Sequence, residues 1–137
     1  MPLYMCNAPK GAIAPEAKAK IAKDITDIHC EVTAAPPAFV HVFFFDGESA
    51  QAPGDVAVQL RASIRAGRTD AQKDTMSARM RQSVTTHAGI DFEAVAMDMV
   101  DVPASWVMEG GDLLPEPGEE EAWLAAHEAK LTAGAVK

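Results

Sequence analysis

Apolar positions follow two rhythms along this chain, and the rhythm changes at turn residues. Leu3 to Ala8 is a short apolar run closed by Pro9-Lys10-Gly11, the pattern of a strand entering a turn. Pro2 is permitted at the head of such a strand, because the first position need not donate to the ladder. From Pro15 the period lengthens. Ala17, Ile21, Ile25 and Ile28 recur at helical spacing and predict a helix from Pro15 to about Val32. Pro15 suits the first helical position, and Glu16 favours the N-terminal end of the dipole. Ala35-Pro36-Pro37-Ala38 breaks the chain. Phe39 to Phe45, rich in aromatic and β-branched residues, then predicts a strand buried on both faces or nearly so. Asp46-Gly47 closes it, and Glu48 to Gly54 reads as a polar loop.

The sequence of patterns then repeats. Val56 to Ile64 alternates as a strand and leaves through Arg65-Ala66-Gly67-Arg68. Thr69 or Asp70 can cap a helix reaching about His87, with Met76, Met80 and Val84 as its apolar stripe. His87-Ala88-Gly89 ends it, and Phe92 to Val100 predicts a fourth strand. Beyond Asp101 the chain is loop-like until a last helix, Glu119 to about Leu131. It has acids at its start and Lys130 near its end, and the tail from Thr132 is expected to fray.

Two β-α-β units in tandem predict an α/β chain, in layers an α+β sandwich. Its four-stranded sheet carries two helices on one face, with a C-terminal helix added. Parallel pairing within each half follows from the crossover. The 137 residues suit one domain, divided as 1–47, 55–101 and 102–137. The face of the sheet away from the helices needs a cover, most simply other copies of the chain.

Composition narrows the function. A hydrophobic fraction of 48% supports a folded core, and a net charge of −8 argues against a nucleic-acid partner. Cys6 and Cys30 form neither a disulfide framework nor a metal motif and read as small apolar residues. His41, His87 and His127 lack ligand spacing, so no metal is expected. No leader or membrane-length apolar run is seen, and a reduced, cytoplasmic setting is the expectation.

The candidate chemistry begins at Pro2. Removal of Met1 would expose a secondary amine, and α-amino groups have a reference pKa of about 7.7–8.0. Burial and nearby arginines push that value down and leave a neutral base. Arg65 and Arg68 bracket a glycine turn after a strand, where two guanidinium forks can meet one small carboxylate. His29 lies on a helix and can donate to that carboxylate, although its place beside an apolar face also suits a structural histidine. Glu109 lies on a Gly-rich loop and can shuttle a proton or hold a water. Arg61, Arg79 and Arg81 read as solvated charges, and Tyr4 and Trp106 as packing.

These residues resemble the tautomerase superfamily, and more narrowly its branch of cis-3-chloroacrylic acid dehalogenase and oxalocrotonate tautomerase-like proteins. The motifs that carry it are Met1-Pro2-Leu3-Tyr4-Met5, Ile25-Thr26-Asp27-Ile28-His29, Arg65-Ala66-Gly67-Arg68, and Glu109 through Leu113-Leu114-Pro115-Glu116-Pro117-Gly118 to Trp123. The resemblance implies a cofactor-independent homotrimer acting on a small carboxylic acid. It makes Pro2 and Glu109 catalytic and assigns His29, Arg65 and Arg68 to substrate binding. A tyrosine of that branch has no counterpart. Asp98 holds its place, either facing solvent or entering the site as a substitute polar group. The expected reaction is proton transfer by Pro2 on a 2-oxo or unsaturated acid. The alternatives are a hydratase, dehalogenase or decarboxylase of 3-haloacrylate-like or acetylenic acids, and a trimeric binding protein with residual activity.

Overall fold

In the first strand, β1 (Leu3–Ala8), even positions are buried and odd ones are not: Tyr4, Cys6 and Ala8 are each 1% exposed. The computed structural model describes residues 2–47 and 56–135, with the side chains of the last helix described through residue 129. Met1, the polar loop expected at 48–54 and the last two residues lie outside that set. Two units divide the chain. The first comprises the residues through Ile64 together with Arg68–Val100, and the second comprises Arg65–Gly67 together with the residues from Asp101 onward.

In the first unit, helix α1 (Pro15–Thr33) buries Ala17, Ile21, Ile25 and Ile28, the stripe its spacing predicts, and adds His29. Helix α2 (Asp70–Ala88) buries Met76, Met80 and Val84. Thr69 caps it reciprocally: Gln72 N donates to Thr69 Oγ1 at 3.1 Å, and Thr69 N donates to Gln72 Oε1 at 2.9 Å. Both helices pack on one face of a four-stranded mixed sheet of order β2-β1-β3-β4, built with β2 (His41–Asp46), β3 (Val58–Arg65) and β4 (Val95–Val102). β1 runs parallel to β2 and antiparallel to β3. Ile21, Ile25, Ile64, Met76 and Met80 are at most 0% exposed at the centre of this layer. Burying each such side chain is worth about 1.5–3 kcal/mol, so the helix–sheet seam is the main source of stability.

The structure departs from four of the sequence expectations. The phenylalanine-rich strand is not buried on both faces. It is the sheet edge, where Val42 and Phe44 pack on the core while Phe43 and Phe45 are 51% and 40% exposed on the other face. Its start also moves, because Pro37–Phe39 forms a 3₁₀ turn before the strand, with Val40 N donating to Pro37 O at 3.1 Å. Phe92–Ala94 is likewise a 3₁₀ turn, which delays β4 to Val95. The reading of Arg81 as solvated is wrong as well. Its guanidinium donates to Val95 O at 2.6 Å and Phe92 O at 3.0 Å, and it lies 3.9 Å from the Phe92 ring centroid. Arg81 therefore ties α2 to the entry of β4.

The second unit contains a 3₁₀ turn at Ala104–Trp106, a hairpin and helix α3 (Glu120–Ala135). The hairpin pairs β5 (Met108–Glu109) with β6 (Asp112–Leu113) through Gly110-Gly111. Both glycines have positive φ, 59° and 85°, as a two-residue hairpin loop requires. Strands of two residues are too short to carry a period, so the sequence reads only a loop. Helix α3 continues past Leu131 to Ala135, into the segment expected to fray. Trp106 is 78% exposed and is not a packing residue within the described chain.

Candidate active site

Pro2 precedes β1 and is fully buried. His41 N donates to Pro2 O at 3.0 Å, so the β1–β2 ladder extends to this residue and fixes its backbone. Alternation puts Pro2 on the same sheet face as Tyr4, about 7 Å further along an extended strand. That face is the one covered by the helices, and α1 brings His29 against it. Tyr4 and His29 are 1% and 2% exposed. The Tyr4 hydroxyl is 2.7 Å from His29 Nδ1, and the rings meet edge to face with centroids 5.7 Å apart.

The electrostatics keep both groups neutral. Burial pushes the His29 imidazole down to about 4, and the positive charge of Arg68 pushes the same way. Burial raises the Tyr4 phenol well above its ordinary range, with Arg68 only partly opposing it. Pro2, Tyr4, His29 and Arg68 thus all belong to the first unit, with Arg68 close enough to bias both rings. Tyr4 is the polar group that sequence reasoning left as packing. The available signal is its strand parity with Pro2.

His29 makes stability pH-dependent with a definite sign. An unfolded histidine has a pKa near 6.5, so between pH 6.5 and 4 the unfolded chain holds the extra proton. His29 therefore contributes stability that is complete above about pH 6.5 and lost as pH falls through its folded value of about 4. The loss is about 3 kcal/mol. Urea titrations from pH 7 to 4 are expected to show a steeper loss of stability in the wild type than in His29→Gln. An equal slope in both would contradict it.

The second unit positions the other two predicted residues. Arg65 is 8% exposed and its terminal nitrogens donate to Pro115 O at 2.5 Å and Glu120 Oε1 at 2.9 Å. Glu120 also accepts from Gly118 N at 2.7 Å. Burial opposes ionisation of Glu120, but these hydrogen bonds and the Arg65 charge hold its pKa below the ordinary value. Arg65 thus already braces the Pro115–Glu120 segment, a pairing 55 positions apart that no local pattern signals. Gly67 (φ 113°) is needed beside it, since a Cβ there would lie 2.5 Å from Pro117 Cγ. Glu109 sits half-buried at the hairpin, opposite Asp112. Helix α3 steadies that hairpin: Trp123 Nε1 donates to Leu113 O at 2.7 Å, and Trp123 stacks on His127, whose Nδ1 is 3.6 Å from Asp112.

Asp98 faces elsewhere. Met97 and Met99 pack on the core, so Asp98 projects from the sheet face away from the helices. There it accepts from Gln59 Nε2 at 2.8 Å and lies 4.0 Å from Arg61. Of the larger cavities, one of about 500 Å³ opens between α1 and α2. Asp24, Arg79, Ser83 and His87 line it, and none is a predicted site residue. Ser83 Oγ and His87 Nε2 both contact Asp24 there, at 2.8 and 2.9 Å, a cross-link between helices. Among the described residues no group of His, Cys, Asp and Glu is arranged to hold a metal, and no helix is long and apolar enough to cross a membrane.

Residues 1–128 match a family model described as "Putative oxalocrotonate tautomerase enzyme". The chain is 32% identical to N1, a member of the cis-3-chloroacrylic acid dehalogenase family, over 90% of each chain, with a TM-score of 0.78. It is 37% identical to native Ps01740 over 78% of this chain and 99% of that one, with a TM-score of 0.70. A fused 4-OT that forms a symmetric trimer shares the fold, with 22% identity, a TM-score of 0.70 and coverage of 82% and 94%. No curated protein sequence matches the chain significantly. Family match, close structural relatives and the β-α-β architecture agree: the chain belongs to the tautomerase superfamily, on its oxalocrotonate tautomerase and cis-3-chloroacrylic acid dehalogenase-like branch.

Proposed function

We propose that the protein is a tautomerase whose base is the nitrogen of Pro2, freed by removal of Met1, acting on a small 2-oxo or unsaturated carboxylic acid. The observation that carries this reading is the buried Pro2 held two positions from Tyr4, on the sheet face where His29 stays neutral under the Arg68 charge. Burial and a neighbouring guanidinium both disfavour a charged amine, so the same surroundings supply a neutral base near pH 7. A neutral imidazole can donate a hydrogen bond to substrate oxygen without bringing a competing charge. Arg68 offers the substrate carboxylate a planar fork. In ketonisation the Pro2 nitrogen takes the enol hydroxyl proton, nearby donors stabilise the charge left on the enolate oxygen, and carbon is then protonated. No cofactor is needed for this exchange.

Further roles go to Arg65 and Glu109 of the second unit. Arg65 is assigned as a second guanidinium for the carboxylate, through donors left over from its bonds to Pro115 and Glu120. Glu109 is assigned the return of a proton or the holding of a water. Asp98 is assigned no chemical step, since Gln59 and Arg61 already hold it. A homotrimer is proposed on the strength of the trimeric fused 4-OT and of Phe43, Phe45 and Val100, which lie exposed.

The deciding assay sets a keto–enol 2-oxo acid beside a cis-3-haloacrylate and an acetylenic acid. Rapid ketonisation with negligible halide release is expected. Halide release as the faster reaction would replace this reading with a hydrolytic dehalogenase. No turnover of any acid would leave a binding protein.

A further inference from the structure

We propose that Tyr4 is a positioning residue: its hydroxyl donates to His29 Nδ1 and so fixes the imidazole as the tautomer that presents Nε2–H to substrate. The inference rests on the donor role proposed for His29 and adds the residue that creates that donor. A neutral imidazole has one N–H and one bare nitrogen, and the partner of one nitrogen decides the state of the other. Tyr4 Oη is 2.7 Å from Nδ1, and it is the polar partner that the described residues give this ring. Two arrangements fit that distance. If Nδ1 carried the proton, the Tyr4 O–H would need a second acceptor at a position where the residue is only 1% exposed. If Tyr4 donates, its hydrogen and the Nδ1 lone pair are satisfied together, and the remaining proton sits on Nε2. The edge-to-face contact of the rings, 73° between planes, holds the imidazole so that Nε2 keeps one direction.

The charged groups that act on the pair sustain this arrangement. Arg68 presents positive charge to His29, and Arg68 and Cys30 act electrostatically on Tyr4. None of these offers a carboxylate that would draw a proton onto Nδ1. Tyr4 also shares the strand with Pro2, so one backbone segment sets both the base and the tautomer of its helper.

The test pairs spectroscopy with kinetics. With histidine labelled by ¹⁵N, His29 at pH 7 is expected to show a pyridine-type Nδ1 and a pyrrole-type Nε2. Tyr4→Phe, which keeps the ring shape, is expected to mix the two tautomers and to lower kcat about fivefold, the effect of one neutral hydrogen bond. In a His29→Gln background, where an amide supplies the donor whatever stands at position 4, adding Tyr4→Phe is expected to change kcat less than twofold. A wild-type Nδ1–H tautomer would overturn the proposal. So would an equal Tyr4→Phe loss in both backgrounds, which would mark a purely structural role. Should Tyr4→Phe not fold, the wild-type tautomer alone decides. The spectrum does not depend on turnover, so failure of the Pro2 reading leaves this result separately visible.

Discussion

Pro2→Ala is expected to lower kcat/KM for ketonisation by about 10²-fold or more, the range for losing a positioned general base. The loss should fall on kcat, because the nitrogen acts on the reacting carbon and not on the carboxylate. Alanine still ends in an amine once Met1 is removed, so the variant keeps a base of similar strength. What it loses is the pyrrolidine ring, which is buried ahead of β1 and aims the nitrogen. The comparison therefore isolates direction from basicity. Steady-state kinetics with circular dichroism to verify folding checks this. Activity within a few-fold of wild type would show that the pyrrolidine ring is not needed to aim the nitrogen.

Arg68→Ala has the second-largest expected effect, a loss of about 30- to 150-fold in kcat/KM, with most of it in KM, from truncating one partner of a desolvated charge pair. It should also move a pH limb. Without that positive charge the amine becomes easier to protonate, and the lower limb of the kcat/KM profile shifts to higher pH. His29 should rise from about 4 toward its ordinary value for the same reason, since the Arg68 charge is one cause of its depression. Arg68→Lys separates the two functions: charge is kept and the planar fork is lost, so KM rises while the pH limb stays. An unchanged KM in Arg68→Ala would show that the substrate carboxylate binds elsewhere.

The helices were legible because their buried faces repeat at helical spacing: Ile21, Ile25 and Ile28 in α1, and Met76, Met80 and Val84 in α2, are the residues that pack. The edge strand was misread for a physical reason. Phe43, Phe44 and Phe45 look alike in sequence, but only Phe44 meets the core, because both helices pack on one face of the sheet and Phe43 and Phe45 point to the other. The motif residues were visible as residue types at given positions, whereas their partners were not. The Tyr4–His29 bond spans 25 positions and the Arg65–Glu120 bond spans 55. Arg81 escaped for the same reason, since its acceptors are backbone carbonyls that belong to no motif. Asp98 stood out only against a family pattern, and its alternation with Met97 and Met99 is what assigns its face.

The most direct measurement is a ¹⁵N titration of the Pro2 nitrogen in the full-length protein as purified. Retained Met1 would make that nitrogen an amide with no titration at all. The account predicts a titrating secondary amine with a pKa below the ordinary α-amino range of about 7.7–8.0. A nitrogen that does not titrate, or one that titrates above that range, would contradict it.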